Sequence, residues 1–260
     1  MNPDLPASKR TTDNAWYRVF AVRGLYEHNF SRAPALLTAT DFKAATGNLE
    51  PRIYCKQDTR ESRPTVFQER GLFILPAKNG RYAIVQGEGY VDIPAVQTTQ
   101  EVYVSKLDFA LDTAVVGSSE MQYLDFAYAS SLVRTFLRDD SLVLTIRGRK
   151  FTPHFDFRVG PHLLHVESVQ TEVDAGYEGR NQVVLFEAKS GRTRNTIIRQ
   201  LYFPFRQWQQ HTQKQVLTGF FEKSGAMYSF WEFGFRDVLD YNSIYLLRSA
   251  RFHIHPRPTP

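Results

Sequence analysis

The chain has a single cysteine, Cys55, so no disulfide can form within it and no cysteine-based zinc site is available. No apolar run reaches the roughly 20 residues that a membrane-spanning helix needs. The opening MNPDLPASKRTTD lacks the apolar stretch of a secretory signal, so the expectation is a cytoplasmic protein with no membrane contact. A GxxxxGK[ST] phosphate loop, an HExxH zinc spacing and a G-x-S-x-G nucleophile elbow are all missing, which sets aside three large classes of hydrolase. Acid is missing locally as well. Between Ala188 and Phe221 there is no Asp or Glu, while Lys189, Arg192, Arg194, Arg199, Arg206 and Lys214 fall in that window. A surface of that kind attracts polyanions, although a solvated basic face without a partner gives the same pattern.

What is present fits a globular protein. The 260 residues suffice for one large domain or two small ones, and the formal net charge is +5. Of 32 basic residues, 23 are arginine, whose planar fork suits phosphates and guanine edges.

Periodicity divides the chain into two parts. After a flexible arm of about a dozen residues, NAWYRVFAVRGLY spaces its apolar residues as a helix, with Asp13 as the expected N-cap. A second short helix starts near Thr40 and ends at Gly47, and a third carries Pro51 in its first turn. LFILP and RYAIV then read as two strands around a Gly-containing turn. Short helices followed by a hairpin resemble a winged-helix DNA-binding domain over residues 14–95. The resemblance puts Arg52 and Lys56 on a DNA-facing helix, and Lys78, Asn79, Gly80 and Arg81 at the wing tip. A plain structural or dimerising domain is the alternative. Residues 96–117 read as a connection.

Beyond it, residues 119–138 read as one helix with Leu124, Ala127, Tyr128, Ser131, Leu132 and Phe136 on a shared stripe. Strands are expected at 142–148, at 154–159 and, with a bulge between Val166 and Val169, at 163–174. QVVLFEAK (182–189) reads as a strand buried on both faces. Residues 192–211 read as a helix interrupted by Pro204, a hairpin flanks Ser224-Gly225, and His253 and His255 fall in a surface tail. The expected fold class is α/β (α+β), with a mixed central β-sheet flanked by helices.

Two neighbouring apolar segments in this second part end in charge. Asp174 closes one, and Glu187 and Lys189 close the next. Adjacent strands lie about 5 Å apart, so pairing of 163–174 with 182–189 would bring Asp174 and Glu187 together. Lys189, two residues on, shares the face of Glu187. Two neighbouring carboxylates repel, and a hard divalent cation such as Mg²⁺ relieves the repulsion. Acid-x-Lys triplets alone are uninformative, because chance supplies roughly one in a chain of this composition. The other triplet, Asp41-Phe42-Lys43, opens a helix and has no partner acid on a strand. The bland alternative for Glu187-Ala188-Lys189 is a salt-bridged strand end.

Asp174 followed by Glu187-Ala188-Lys189, with a helix before and a basic helix after, resembles the PD-(D/E)XK nuclease superfamily, and within it the type II restriction endonucleases. The resemblance covers residues 118–236 and departs from the motif in having Val173 where the name puts proline. It implies a restriction-endonuclease-like core from residue 118 onward, with Asp174 and Glu187 binding Mg²⁺ and Lys189 serving catalysis. It also implies a further acid, for which Glu120 and Glu172 compete, and a helix glutamine near the site, Gln200. Arg147, Arg149 and Lys150 on one strand exit, and Arg192, Arg194, Asn195, Arg199 and Gln200 after the lysine, are the expected DNA contacts. The implied partners are double-stranded DNA, a second protomer for cutting both strands, and a cognate DNA methyltransferase as genetic partner. A repair or junction-resolving nuclease and a non-enzymatic winged-helix DNA-binding protein are the alternatives.

Overall fold

The computed structural model describes residues 10–116 and 119–255; the expected N-terminal arm lies almost entirely outside them, as do the last five residues. In chain order the first part forms α1 (Thr11–Val22), β1 (Ala35–Thr38), α2 (Ala39–Thr46), α3 (Pro51–Tyr54), α4 (Thr65–Glu69), β2 (Leu72–Lys78) and β3 (Arg81–Gln86). β1 completes a three-stranded antiparallel sheet in the order β1-β3-β2. Local chemistry sets these boundaries. Thr38 and Asp41 form a reciprocal capping box at the start of α2, and Gly47 ends it at φ 72°, a left-handed conformation that glycine adopts without steric penalty. Asp13 does not cap α1, whose N-cap is Arg10. Asp13 is buried instead, and its carboxylate accepts the Thr65 N–H at 2.8 Å and the Thr65 hydroxyl at 3.1 Å, which anchors the start of α4.

The second part runs β4 (Tyr90–Asp92), β5 (Glu101–Val104), α5 (Glu120–Ala129), α6 (Leu132–Leu137), β6 (Val143–Phe151), β7 (Phe155–Val159), β8 (His162–Val166), β9 (Gln170–Glu178), β10 (Gln182–Ser190), β11 (Asn195–Ile197), α7 (Arg199–Gln209), β12 (Gln215–Ser224), β13 (Met227–Phe235) and β14 (Ile244–His255). Seven strands form a mixed sheet in the order β5-β14-β13-β12-β10-β9-β6, with β10–β12 and β14–β5 parallel and the other neighbours antiparallel. Helices cover both faces. Leu124, Leu132 and Phe136 of α5 and α6 pack with Val184, Phe186 and Phe230 on one side. Tyr202 and Phe203 of α7 pack with Val183, Leu185 and Val216 on the other. The fold is therefore α+β, built on a large mixed sheet flanked by helices.

Several elements differ from the sequence-based reading. The helix over 119–138 is two helices, separated at Ser130-Ser131, where Ser131 takes φ 66°. The strand over 163–174 is also two. The chain turns at Ser168, at φ 54°, so β8 pairs only with β7 while β9 enters the large sheet. The connection over 96–117 supplies edge strand β5, and β11 precedes α7 within 192–211. α7 runs through Pro204, whose missing N–H leaves one helical bond unmade. His253 and His255 are in strand β14 and not in a tail.

The β2–β3 hairpin faces two cores at once. Leu72, Ile74 and Ile84 point into the core of the first part with Trp16, Phe20 and Phe67. Phe73, Leu75, Ala83 and Val85 point the other way, against Phe157, Val159 and Tyr202. The two-residue side-chain period of a strand makes this possible, and it explains why LFIL is apolar without alternation.

Candidate functional site

β9 and β10 pair from Val183↔Glu178 to Phe186↔Ala175 and then part. β10 continues beside β12 as far as Ser190↔Lys223, while β9 stays with β6. Asp174, Glu187 and Lys189 lie just past the fork. The Asp174 carboxylate accepts the Ala188 N–H at 2.7 Å, which replaces the ladder bond that β9 no longer offers. Lys189 Nζ donates to Glu187 Oε1 and to the Ala188 carbonyl, the latter at 3.1 Å. Gln200 Nε2, from the first turn of α7, donates to Glu187 Oε1 at 2.8 Å, and its own carbonyl accepts the Thr196 hydroxyl at 2.6 Å. Glu120, at the start of α5, accepts the Ser190 N–H at 2.9 Å.

These contacts give a charge pattern with physical causes. Burial raises the Glu187 carboxyl to about 7, aided by Asp174 and opposed by Lys189. Burial also raises Asp174, against the hydrogen bond from Ala188 and the charge of Lys189. For Lys189 burial works against the charge, but Glu187 outweighs it, so the ammonium is held above its ordinary range. The donors here are oxygens: two carboxylates and the Ala188 carbonyl. Such oxygen donors could hold a hard divalent ion such as Mg²⁺, beside the Lys189 ammonium that bridges Glu187 and that carbonyl.

The cluster lies in a cleft of about 900 Å³ between the two parts of the chain. Glu120, Glu172, Asp174, Glu187, Lys189 and Gln200 line it from the large-sheet side, together with Arg149 and Arg199. Arg52, Lys56, Lys78, Asn79 and Gly80 line it from the first part. Arg52, Lys56 and Lys78 are exposed there, and Arg81, also exposed, lies outside the lining.

Other sequence-predicted residues have different surroundings. Asn195 is buried, its amide committed to Glu61 and to the Arg60 backbone, so it has no group left for a base. Gln200 lines the cleft with its amide donated to Glu187, beside the site as a helix glutamine is expected to be. Arg206 is also buried, bonded to the Asp156 and Val238 carbonyls and the Tyr202 hydroxyl, so the acid-free window is not one continuous basic surface. Arg147 forks onto Asp125, Arg149 pairs with Glu172 at 3.2 Å, and Arg199 lies 3.8 Å from Asp58. Lys150 reaches over the Trp208 ring, and Arg192 and Arg194 are exposed. Thr196 is the site contributor that sequence reasoning missed; its signal was the four-residue spacing to Gln200.

The site is thus a forked sheet with acid and lysine at the fork, across a cleft from Arg52, Lys56 and Lys78. Residues 85–253 match the family described as Domain of unknown function (DUF6997), and the chain belongs to that family. Residues 13–84 match the family described as Domain of unknown function (DUF6996). Comparison with curated proteins and with solved structures found no match.

Proposed function

We propose that the chain is a Mg²⁺-dependent DNA endonuclease of the PD-(D/E)XK kind, acting as a type II restriction enzyme, with the first part serving as a winged-helix-like DNA reader. The observation that carries this reading is the meeting of Asp174, Glu187 and Lys189 at the fork between β9 and β10, across a cleft from Arg52, Lys56 and Lys78. In this reading Asp174 and Glu187 hold the ion. When bound, the ion polarises the phosphoryl oxygen and acidifies an attacking water. Gln200 fixes the Glu187 carboxylate against rotation. Lys189, held charged beside Glu187, orients the water and stabilises negative charge that develops at phosphorus. The exposed cations of the opposite wall contact the DNA backbone. The β1-β3-β2 sheet supports the winged-helix reading, because its hairpin tip reaches the cleft; α3 is a single turn that ends at Tyr54, so Arg52 is on it while Lys56 lines the cleft from the loop that follows and not from a helix.

The test is incubation of the purified chain with phage or plasmid DNA and Mg²⁺. Discrete, reproducible fragments are expected, abolished by chelator and reduced about 10²-fold or more by Asp174→Ala, Glu187→Ala or Lys189→Ala. Cutting confined to branched or damaged DNA would make the chain a repair or junction-resolving nuclease instead. Retarded DNA without cutting would leave a non-enzymatic DNA-binding protein. Variants that cut as well as the unaltered chain would remove the site assignment.

A further inference from the structure

β7 and β8 form a two-stranded ribbon closed by a turn at 160–161, with Asp156 opposite His165. The inner face is Phe155, Phe157, Val159, Leu164 and Val166, all in the core. His154 precedes Asp156 by two residues and shares its outward face. Here three ligand-bearing side chains meet. Asp156 Oδ1 lies 2.6 Å from His165 Nδ1 and 3.3 Å from His154 Nε2. The two imidazole rings lie nearly parallel, 11° apart in plane. One ligand atom from each residue falls within 4.8 Å of the others, and among the described residues this is the one group of three or more His, Cys, Asp or Glu that does so. Glu120, Asp174 and Glu187 at the fork are not gathered that tightly.

The cluster is held by its scaffold. The buried inner face fixes the ribbon, Gln210 Nε2 donates to the His154 carbonyl at 3.2 Å, and Arg206 donates to the Asp156 carbonyl at 2.9 Å. Two imidazole nitrogens and one carboxylate oxygen suit Zn²⁺ and its borderline neighbours, whereas Mg²⁺ prefers oxygen and keeps its waters. In a tetrahedral zinc site neighbouring donor atoms lie about 3.3 Å apart, so small side-chain rotations suffice to close this group on an ion. Three protein ligands leave the fourth position to water or an added ligand.

We propose that His154, Asp156 and His165 form a second metal site, for Zn²⁺ or a similar divalent transition metal, independent of the carboxylate cluster and of the nuclease reading. The ion clamps the open end of the ribbon. Glu167, immediately after β8, pairs with Lys78 at 2.8 Å, and its N–H bonds the Ala77 carbonyl at 3.0 Å. The clamp therefore sits beside the join between the ribbon and the tip of the β2–β3 hairpin.

The test is calorimetric titration of the full chain with ZnCl₂ in excess Mg²⁺, on unaltered, Glu187→Ala, His154→Ala, His165→Ala, His165→Gln and His253→Ala proteins, with circular dichroism to establish folding. One Zn²⁺ per chain is expected in the unaltered, Glu187→Ala and His253→Ala proteins. Affinity falls at least about tenfold in the three ribbon variants, the loss that removal of even an outer-shell partner brings. Co²⁺ in place of Zn²⁺ gives visible absorption that the same variants lose. No saturable Zn²⁺ uptake, unchanged uptake in folded ribbon variants, or loss confined to Glu187→Ala or His253→Ala overturns the proposal.

Discussion

Glu187 carries a proton at a pH where an ordinary glutamate has none, and that has consequences in folding and in chemistry. Its carboxyl sits near 7 in the folded chain against an ordinary 4.5. Between those values the folded chain holds a proton that the unfolded chain has released, so stability falls as pH rises through the window and levels off above about 7. The linkage is at most about 3 kcal/mol. Glu187→Gln is expected to flatten the dependence of the urea midpoint on pH between 4.5 and 7. In the nuclease reading cleavage rises with pH through about 7, because only the ionised carboxylate holds a cation, and added Mg²⁺ moves that rise to lower pH. Asp13→Ala leaves the Thr65 N–H without its carboxylate partner and is expected to cost about 1–3 kcal/mol in denaturant titration. The acid–lysine cluster was legible because charge beside a buried apolar run is locally anomalous, although the strands run further than expected: Asp174 is in the middle of β9, and Glu187 and Lys189 lie within β10. The burial of Asn195 and Arg206 was not, since their partners Glu61 and Val238 lie far along the chain.

Between elements, close backbone approach does much of the positioning. Gly219 pairs with Phe186 across β12 and β10, and a Cβ at 219 would lie 2.3 Å from the Phe186 ring. Gly219→Ala therefore pushes on the residue before Glu187. A loss of about 1–3 kcal/mol in denaturant titration is expected, and in the nuclease reading reduced cleavage in the same protein. Ser131→Gly relieves the left-handed strain between α5 and α6, and is expected to leave the urea midpoint unchanged or raise it; Ser131→Val lowers it. α2, α3, the β2–β3 and β12–β13 hairpins and β10 were readable from caps, proline placement and apolar runs. The helix break at Ser131 and the turn at Ser168 were not, because nothing local marks a serine that tertiary packing holds at positive φ. Strands of three or four residues, such as β1, β4 and β11, are too short for a period to register.

Across the whole molecule, the cleft joins the acid–lysine cluster of one wall, with Arg149 and Arg199, to Arg52, Lys56 and Lys78, with Asp58, on the other. In the nuclease reading, replacing Arg52, Lys56 and Lys78 by alanine, singly and together, is expected to weaken DNA binding uniformly over sequences. Each change should lower the slope of log affinity against log salt by about one. That separation of walls was half legible. Charge counts exposed the arginine bias, but only the fold shows which cations line the cleft and which of those are paired, Lys56 with Asp58 and Lys78 with Glu167 among them.

The stretches matched by the two families meet between residues 84 and 85, in the middle of β3. A chimera spliced at that point would divide one hairpin between two parents and strip Phe73 and Leu75 from the wall they form over Phe157 and Tyr202. Exchange of the first part alone would thus leave the apolar face of the second part uncovered. The two halves are expected to travel through evolution as a single inherited piece, and in the nuclease reading a new specificity would arise by changing side chains along the cleft while both halves stay in place.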